Sequence, residues 1–238
     1  VAAMLVLMTK VGVYALLRVW LAVFGDAAGE LEGFGLAALT AGGMATLLFG
    51  AIGMLASQDG GRMAGYGAII SSGTLLAVIG HTGHSDGGPV LASGLYYLLG
   101  STLAMAAFML LIELTERIRP LGASLLAISM EAFAVEDKPE DPVGVGIPGT
   151  LAFLGLSFTA CALILSGMPP LSGFVAKFSL FHELLGTSTA TDNPATGGSA
   201  VAGVTWFLMA LVVLAGLASI ISLVRLGVRT FWASGVVR

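Results

Sequence analysis

Charge is scarce in this 238-residue chain. Asp, Glu, Lys and Arg together supply 10% of it, against about 25% in an average soluble domain. That scarcity excludes an ordinary water-soluble fold, because 57% hydrophobic residues would leave broad apolar patches facing water. Cysteine is scarcer still. Cys161 stands alone, which excludes an intramolecular disulfide and a cysteine-ligated iron–sulfur cluster within the chain; inside an apolar run it reads as a small buried hydrophobe. No Walker A sequence occurs, so no ATP site is indicated. Gly144-Val145-Gly146-Ile147-Pro148-Gly149 fits a dinucleotide fingerprint by letters only, since no strand precedes it. His81, His84 and Asp86 lack a fourth ligand in view, which argues against a metal site. The chain starts at Val1, with no charged segment leading to a cleavage site; the expectation is an internal start and a fragment of something longer.

Long hydrophobic runs are what the chain has in place of charge. Its mean hydropathy is +0.98, and apolar runs fall at about 1–24, 34–57, 64–81, 89–114, 149–186 and 201–224. Five of these suit one membrane-crossing helix of about 20 residues each. The run 149–186 would measure roughly 57 Å as one helix, against about 30 Å of hydrocarbon. It also contains Gly167, Pro169, Pro170 and Gly173. Two prolines remove two backbone donors and forbid a regular turn. The expectation is a broken helix with halves at about 149–166 and 173–186, tolerated at membrane depth only against protein or a wet cavity. The predicted fold is therefore all-α: a single polytopic bundle over 1–238 with six spans, one of them broken, in a lipid bilayer. Small residues every four positions, Gly42, Thr46 and Gly50, are expected to allow close helix packing.

The ten basic residues then fall into two groups. Arg62, Arg117, Arg119, Lys138, Arg225, Arg229 and Arg238 sit between alternate spans or in the tail, while the segments 25–33, 82–88 and 187–200 carry no Lys or Arg. The positive-inside rule assigns the basic side, both ends and a loop at 116–148 to the cytoplasm. Within that loop, 121–133 is apolar enough for a short interfacial helix. Glu113, at the end of the fourth run, is expected in a surface ion pair with the arginines beside it.

Lys10, Arg18 and Lys177 lie inside the expected spans. An ionisable group in hydrocarbon costs at least about 2.5–3.5 kcal/mol on insertion scales, so each calls for a function. Lys10, Tyr14 and Arg18, at i, i+4 and i+8, read as one helix face, with Arg18 able to snorkel outward on its long stem. Lys177 follows Gly173 by four residues, near the start of the second half-helix, where the helix field opposes a cation. A lysine poised to lose and regain a proton suits a relay. His182 and Glu183 lie toward the outer end as a possible exit, and Glu183 is about 240° round the helix from Lys177, so the two do not pair.

Thr9-Lys10-Val11-Gly12-Val13-Tyr14-Ala15-Leu16-Leu17-Arg18 resembles a motif of the antiporter-like subunits shared by complex I and the Mrp-type multisubunit cation/proton antiporters. Met168-Pro169-Pro170-Leu171-Ser172-Gly173-Phe174-Val175-Ala176-Lys177-Phe178 resembles that family's broken twelfth helix, and Leu95-Tyr96-Tyr97-Leu98-Leu99-Gly100-Ser101-Thr102-Leu103 has its flavour. The wording is closest to the D subunit of the Mrp (also Mnh or Pha) assemblies. The resemblance implies that the chain covers helices eight to thirteen of a larger subunit and that Lys10 and Lys177 belong to a polar axis at the membrane midplane. It also departs: Ser71 and Gly100 stand where relatives often carry histidine, and the stretch from Asp59 to Ala68 keeps only the frame of its counterpart.

The implied function is exchange of protons for Na⁺ or K⁺ by a secondary transporter rather than an enzyme. It implies a bacterial cell membrane location and other antiporter subunits as partners, with no cofactor and no nucleic acid. Two further readings are a proton-pumping subunit of complex I or of a membrane-bound hydrogenase, and a non-conducting scaffold subunit, the latter motivated by Ser71 and Gly100.

Overall fold

A computed structural model describes residues 2–24, 34–81, 88–133, 149–190 and 198–232. Among the described residues there is no strand. Seven α-helices follow in order among them: α1 (Ala2–Phe24), α2 (Leu36–Ala56), α3 (Gly60–Ile79), α4 (Gly88–Phe133), α5 (Gly149–Ser166), α6 (Ser172–Ala190) and α7 (Gly198–Gly227), with a π-helical turn at Val228–Trp232. Stretches of α1, α2, α3, α4 and α7 are long and apolar enough to cross a membrane, and α5 carries a shorter apolar stretch, Ala152–Ser166. The result is a polytopic helical bundle.

α5 and α6 are the halves expected from the run 149–186, broken where the two prolines stand. They occupy opposite ends of the bundle. On α5, the Phe158 ring lies 5.6 Å from Phe108 of α4 and 5.6 Å from Phe231 beyond α7. On α6, Ala176 and Leu180 join a core cluster with Leu75, Val78 and Ile79 at the far end of α3 and Val90 at the start of α4. Together the halves make one interrupted crossing. α5 ends in a left-handed turn: Gly167 has φ +79°, a conformation that costs a glycine little. The amides of Gly167 and Met168 both donate to the Leu163 carbonyl, at 3.0 and 3.1 Å.

The α2–α3 pair is the closest in the bundle. A side chain on Gly43 would place its Cβ 2.3 Å from the Ala77 amide nitrogen, and one on Gly73 would be 2.7 Å from that of Leu47, so the backbones touch directly. The buried stripe of α2 is Thr40, Gly43, Leu47, Gly50 and Met54. The expected stripe was Gly42, Thr46 and Gly50. Gly50 lies on the interface, but Gly42 meets open space and Thr46 is only half-buried, off the buried stripe. A strict four-residue repeat drifts around a 3.6-residue helix, and alternating steps of three and four hold the face.

α4 differs from expectation. Its 46 residues run past 114 to Phe133 without interruption, about 69 Å at 1.5 Å per residue. The helix takes in the first half of the stretch read as a loop at 116–148, including 121–133, where a short separate helix was expected and a continuation of α4 is found. Extending an existing helix requires no new nucleus, and the Glu113–Arg117 ion pair supports that turn at 2.6 Å in the favourable i, i+4 order. Residues 134–148, with the Gly144–Gly149 letters, lie largely outside the described residues.

Candidate functional site

α1 buries one stripe, Val6, Lys10, Val13, Leu17 and Trp20, with steps of three and four that fit one helix face. Lys10 is 2% exposed and is among the largest of the fully buried side chains described. Its ammonium Nζ donates to the Ser71 hydroxyl on α3, and that hydroxyl donates in turn to the Ala68 carbonyl at 3.0 Å. No carboxylate meets Lys10 among the described residues; Arg117–Glu113 is the ion pair seen there. Tyr14 and Arg18 do not share this setting. Tyr14 is 43% exposed and Arg18 is exposed. Each step of four advances 40° around a helix, so by Arg18 the drift from Lys10 is about 80°, enough to leave a stripe that lies on the other side of Lys10.

Lys177 sits in the second turn of α6 and is only partly exposed. Helical side chains lean toward the N-terminus of their helix. Lys177 accordingly folds back over the break, and its Nζ donates to the Ser166 carbonyl at 2.7 Å. Ser166 ends α5, so the ammonium rests at a carbonyl end, which attracts cations. The helix-start field considered for Lys177 is thus offset by the carbonyl end of the preceding half-helix. Ser166 spends its hydroxyl on the Leu163 carbonyl at 3.1 Å, leaving its own carbonyl oxygen to the lysine. The peptide between Pro169 and Pro170 is cis.

A cavity of about 30 Å³ lies between the two lysines' surroundings. Its wall includes Ser71, the partner of Lys10, with Ser101 and Gly100 of α4, Ser219 of α7, and Gly173 and Ala176 at the start of α6. That volume is room for a water molecule or two, and the serine hydroxyls supply partners for them. Gly100 has no atom within 4 Å of where a Cβ would be. The place where a larger side chain is absent is space in this wall.

His182 is exposed and Glu183 half-buried on α6. They are not gathered to either lysine. Of the residues considered for a metal, His81 is buried and shares a 3.0 Å hydrogen bond, Nε2 to Oγ1, with Thr205 of α7; His84 and Asp86 lie outside the described residues. No cluster of metal-ligating side chains occurs among the described residues. At the basic end, Arg225 donates to the carbonyls of Leu55 and Ser57 at 2.8 and 2.6 Å, and Arg229 to Gln58 at 2.7 Å. A second cavity there, of about 130 Å³, is lined by Gln58, Asp59, Thr115, Glu116, Phe158 and Thr230 among others.

No family model matches the chain. Curated relatives do. It is 52% identical over 237 residues to the probable K⁺/H⁺ antiporter D subunit of Rhizobium meliloti, covering 98% of this chain and 42% of that protein. It is 30% identical over 229 residues to the Na⁺/H⁺ antiporter D subunit of Bacillus subtilis, covering 95% of this chain and 38% of that protein. Among solved structures, the Mrp complex from Dietzia sp. DQ12-45-1b shares the fold, with a TM-score of 0.59 at 23% identity over 93% of this chain and 34% of that one. The chain thus spans about two-fifths of the length of the curated relatives it matches. With an identity of 52% sustained along nearly the whole chain, this chain belongs to the family of D subunits of monovalent cation/proton antiporters.

Proposed function

We propose that this chain forms part of a membrane subunit that exchanges protons for a monovalent cation, K⁺ or Na⁺, within a hetero-oligomeric antiporter of the bacterial cell membrane. The observation that carries this reading is Lys10: an amine buried in a membrane bundle, 2% exposed, whose hydrogen-bond partner is a hydroxyl rather than a carboxylate. An amine held by a neutral partner can exist with or without its extra proton; a lysine locked to a carboxylate is held charged. Ser71 opens onto the cavity that reaches the start of α6, and Lys177 waits there on a backbone carbonyl. Protons pass between Lys10 and Lys177 by way of water in that cavity. The relatives' names, K⁺/H⁺ and Na⁺/H⁺ antiporter D subunits, support cation exchange as the driving partner rather than redox chemistry in a neighbour.

The basic end faces the cytoplasm in this reading. Arg62, Arg117, Arg225 and Arg229 are carried by segments that meet around the second cavity, and a cluster of arginines at one end is what the positive-inside rule assigns to that side. One charge moving across 100 mV is worth about 2.3 kcal/mol, so an unequal exchange draws on the membrane potential. The test is proton flux in vesicles containing the complete assembly, with and without added K⁺ or Na⁺, in wild type, Lys10→Ala and Lys177→Ala. Flux that requires the cation and is lost in both variants fits the proposal. Cation-independent flux would shift the assignment to a redox-driven pump, and normal exchange without either lysine to a scaffold.

A further inference from the structure

α7 passes the broken helix at Gly216. A Cβ on Gly216 would stand 2.9 Å from the Ser166 carbonyl oxygen and 3.3 Å from Lys177 Nζ. Across the gap, a Cβ on Gly167 would be 2.6 Å from Lys177 Cδ and 2.9 Å from its Nζ. The lysine arm and the carbonyl it holds therefore lie in a slot between two stretches of backbone with no side chains. Gly167 has a reason of its own to be glycine, its φ of +79°. Gly216 does not. It sits inside a regular helix, where alanine is the better helix former, and α7 buries alanines on either side of it at Ala215 and Ala218.

We infer that Gly216 is a positioning residue for Lys177: its bare backbone on α7 keeps open the slot in which the ammonium meets the Ser166 carbonyl. The inference rests on the reading of Lys177 as a proton carrier. It adds a third helix to the site, since α7 then sets whether the lysine can rest on the break at all. A methyl group at 216 closes the slot from the α7 side and moves the ammonium off its acceptor; misplacement of a reacting group by about 1 Å can lower a rate by 10²-fold.

The experiment uses the complete assembly in vesicles. Gly216→Ala is compared with Gly203→Ala on the same helix, where a Cβ meets nothing within 4 Å. Proton flux per assembled complex and thermal stability are both measured, each in the wild-type and the Lys177→Ala background. Gly216→Ala should assemble and lose about tenfold or more of its flux, with Gly203→Ala unchanged and stability not reduced in proportion. Unchanged flux in Gly216→Ala overturns the inference. If Gly216→Ala fails to assemble, recovery in Gly216→Ala/Lys177→Ala supports it, because the clash is then with the lysine; no recovery overturns it, because the glycine then serves only the Ser166 backbone. If Lys177→Ala alone leaves flux intact, the proton-carrier reading falls. The slot is then judged by stability: Gly216→Ala should weaken the complex that has Lys177 and spare the one that lacks it.

Discussion

The two lysines solve one problem in different ways. Lys10 lies within an unbroken helix whose own carbonyls are committed to the helical ladder, so its ammonium takes an acceptor from another element, the Ser71 side chain on α3. Lys177 lies just past a break, and the break leaves the Ser166 carbonyl free for it within the same interrupted crossing. One acceptor is a side chain that a single substitution removes. The other belongs to the backbone and survives any substitution that keeps the break. A polar group inside a membrane thus finds its partner either by packing against a neighbouring helix or by interrupting its own.

The largest effects test whether the two sites share a task. Lys10→Ala and Lys177→Ala should each lower cation-dependent proton flux by about 100-fold or more, the range for loss of a proton-transfer group. A large loss from one and none from the other would break the pairing. The next test separates the acceptors. Ser71→Ala strands the Lys10 ammonium without its partner, a penalty of about 1–3 kcal/mol, and flux should fall by roughly tenfold, while Ser71→Thr, which keeps the hydroxyl, should hold most of it. Ser166→Ala should stay within about twofold of wild type, because the lysine uses the carbonyl there and the Ser166 hydroxyl makes one ordinary hydrogen bond of about 1 kcal/mol. Equal losses from Ser71→Ala and Ser166→Ala would sink the contrast between side-chain and backbone acceptors. The smallest effects belong to α1's outward side. Tyr14→Phe and Arg18→Leu, both at exposed positions, should change flux by less than about twofold, within the range of ordinary surface substitutions.

Much of the architecture is legible in the sequence. Run length, two adjacent prolines and the absence of basic residues from alternate loops carry the spans and the break, because hydrocarbon thickness and backbone hydrogen bonding act on local sequence. The length of α4 is not legible in the same way, since the charges and Pro120 at 116–120 read as a break between two apolar stretches, and hydropathy reports solvent rather than conformation. The lysines stand out by chemistry, but their partners do not. Ser71 is 61 residues from Lys10 and Gly216 lies in an apolar helix, so neither shows its contact with a lysine until tertiary packing brings it to the site. By sequence Ser71 reads as a missing group; in the fold it is the acceptor. Tyr14 and Arg18 part from Lys10 for a local reason, the drift of a four-residue step around α1, and only the packing of α1 shows which side of Lys10 is buried.

The ring pair Phe108–Phe158 joins the walls of the two cavities. Phe108 is part of the wall of the cavity beside Ser71 and Phe158 of the wall of the cavity at the basic end, and Phe108 is fully buried. In the proposed relay the rings act, in electrical terms, as insulation between two wet spaces. In the proposed exchanger, a continuous file of water through that point would short-circuit the ion gradients. Packed aromatic rings offer water little room and few hydrogen-bond partners, which in the proposed relay would keep protons on the path through the lysines.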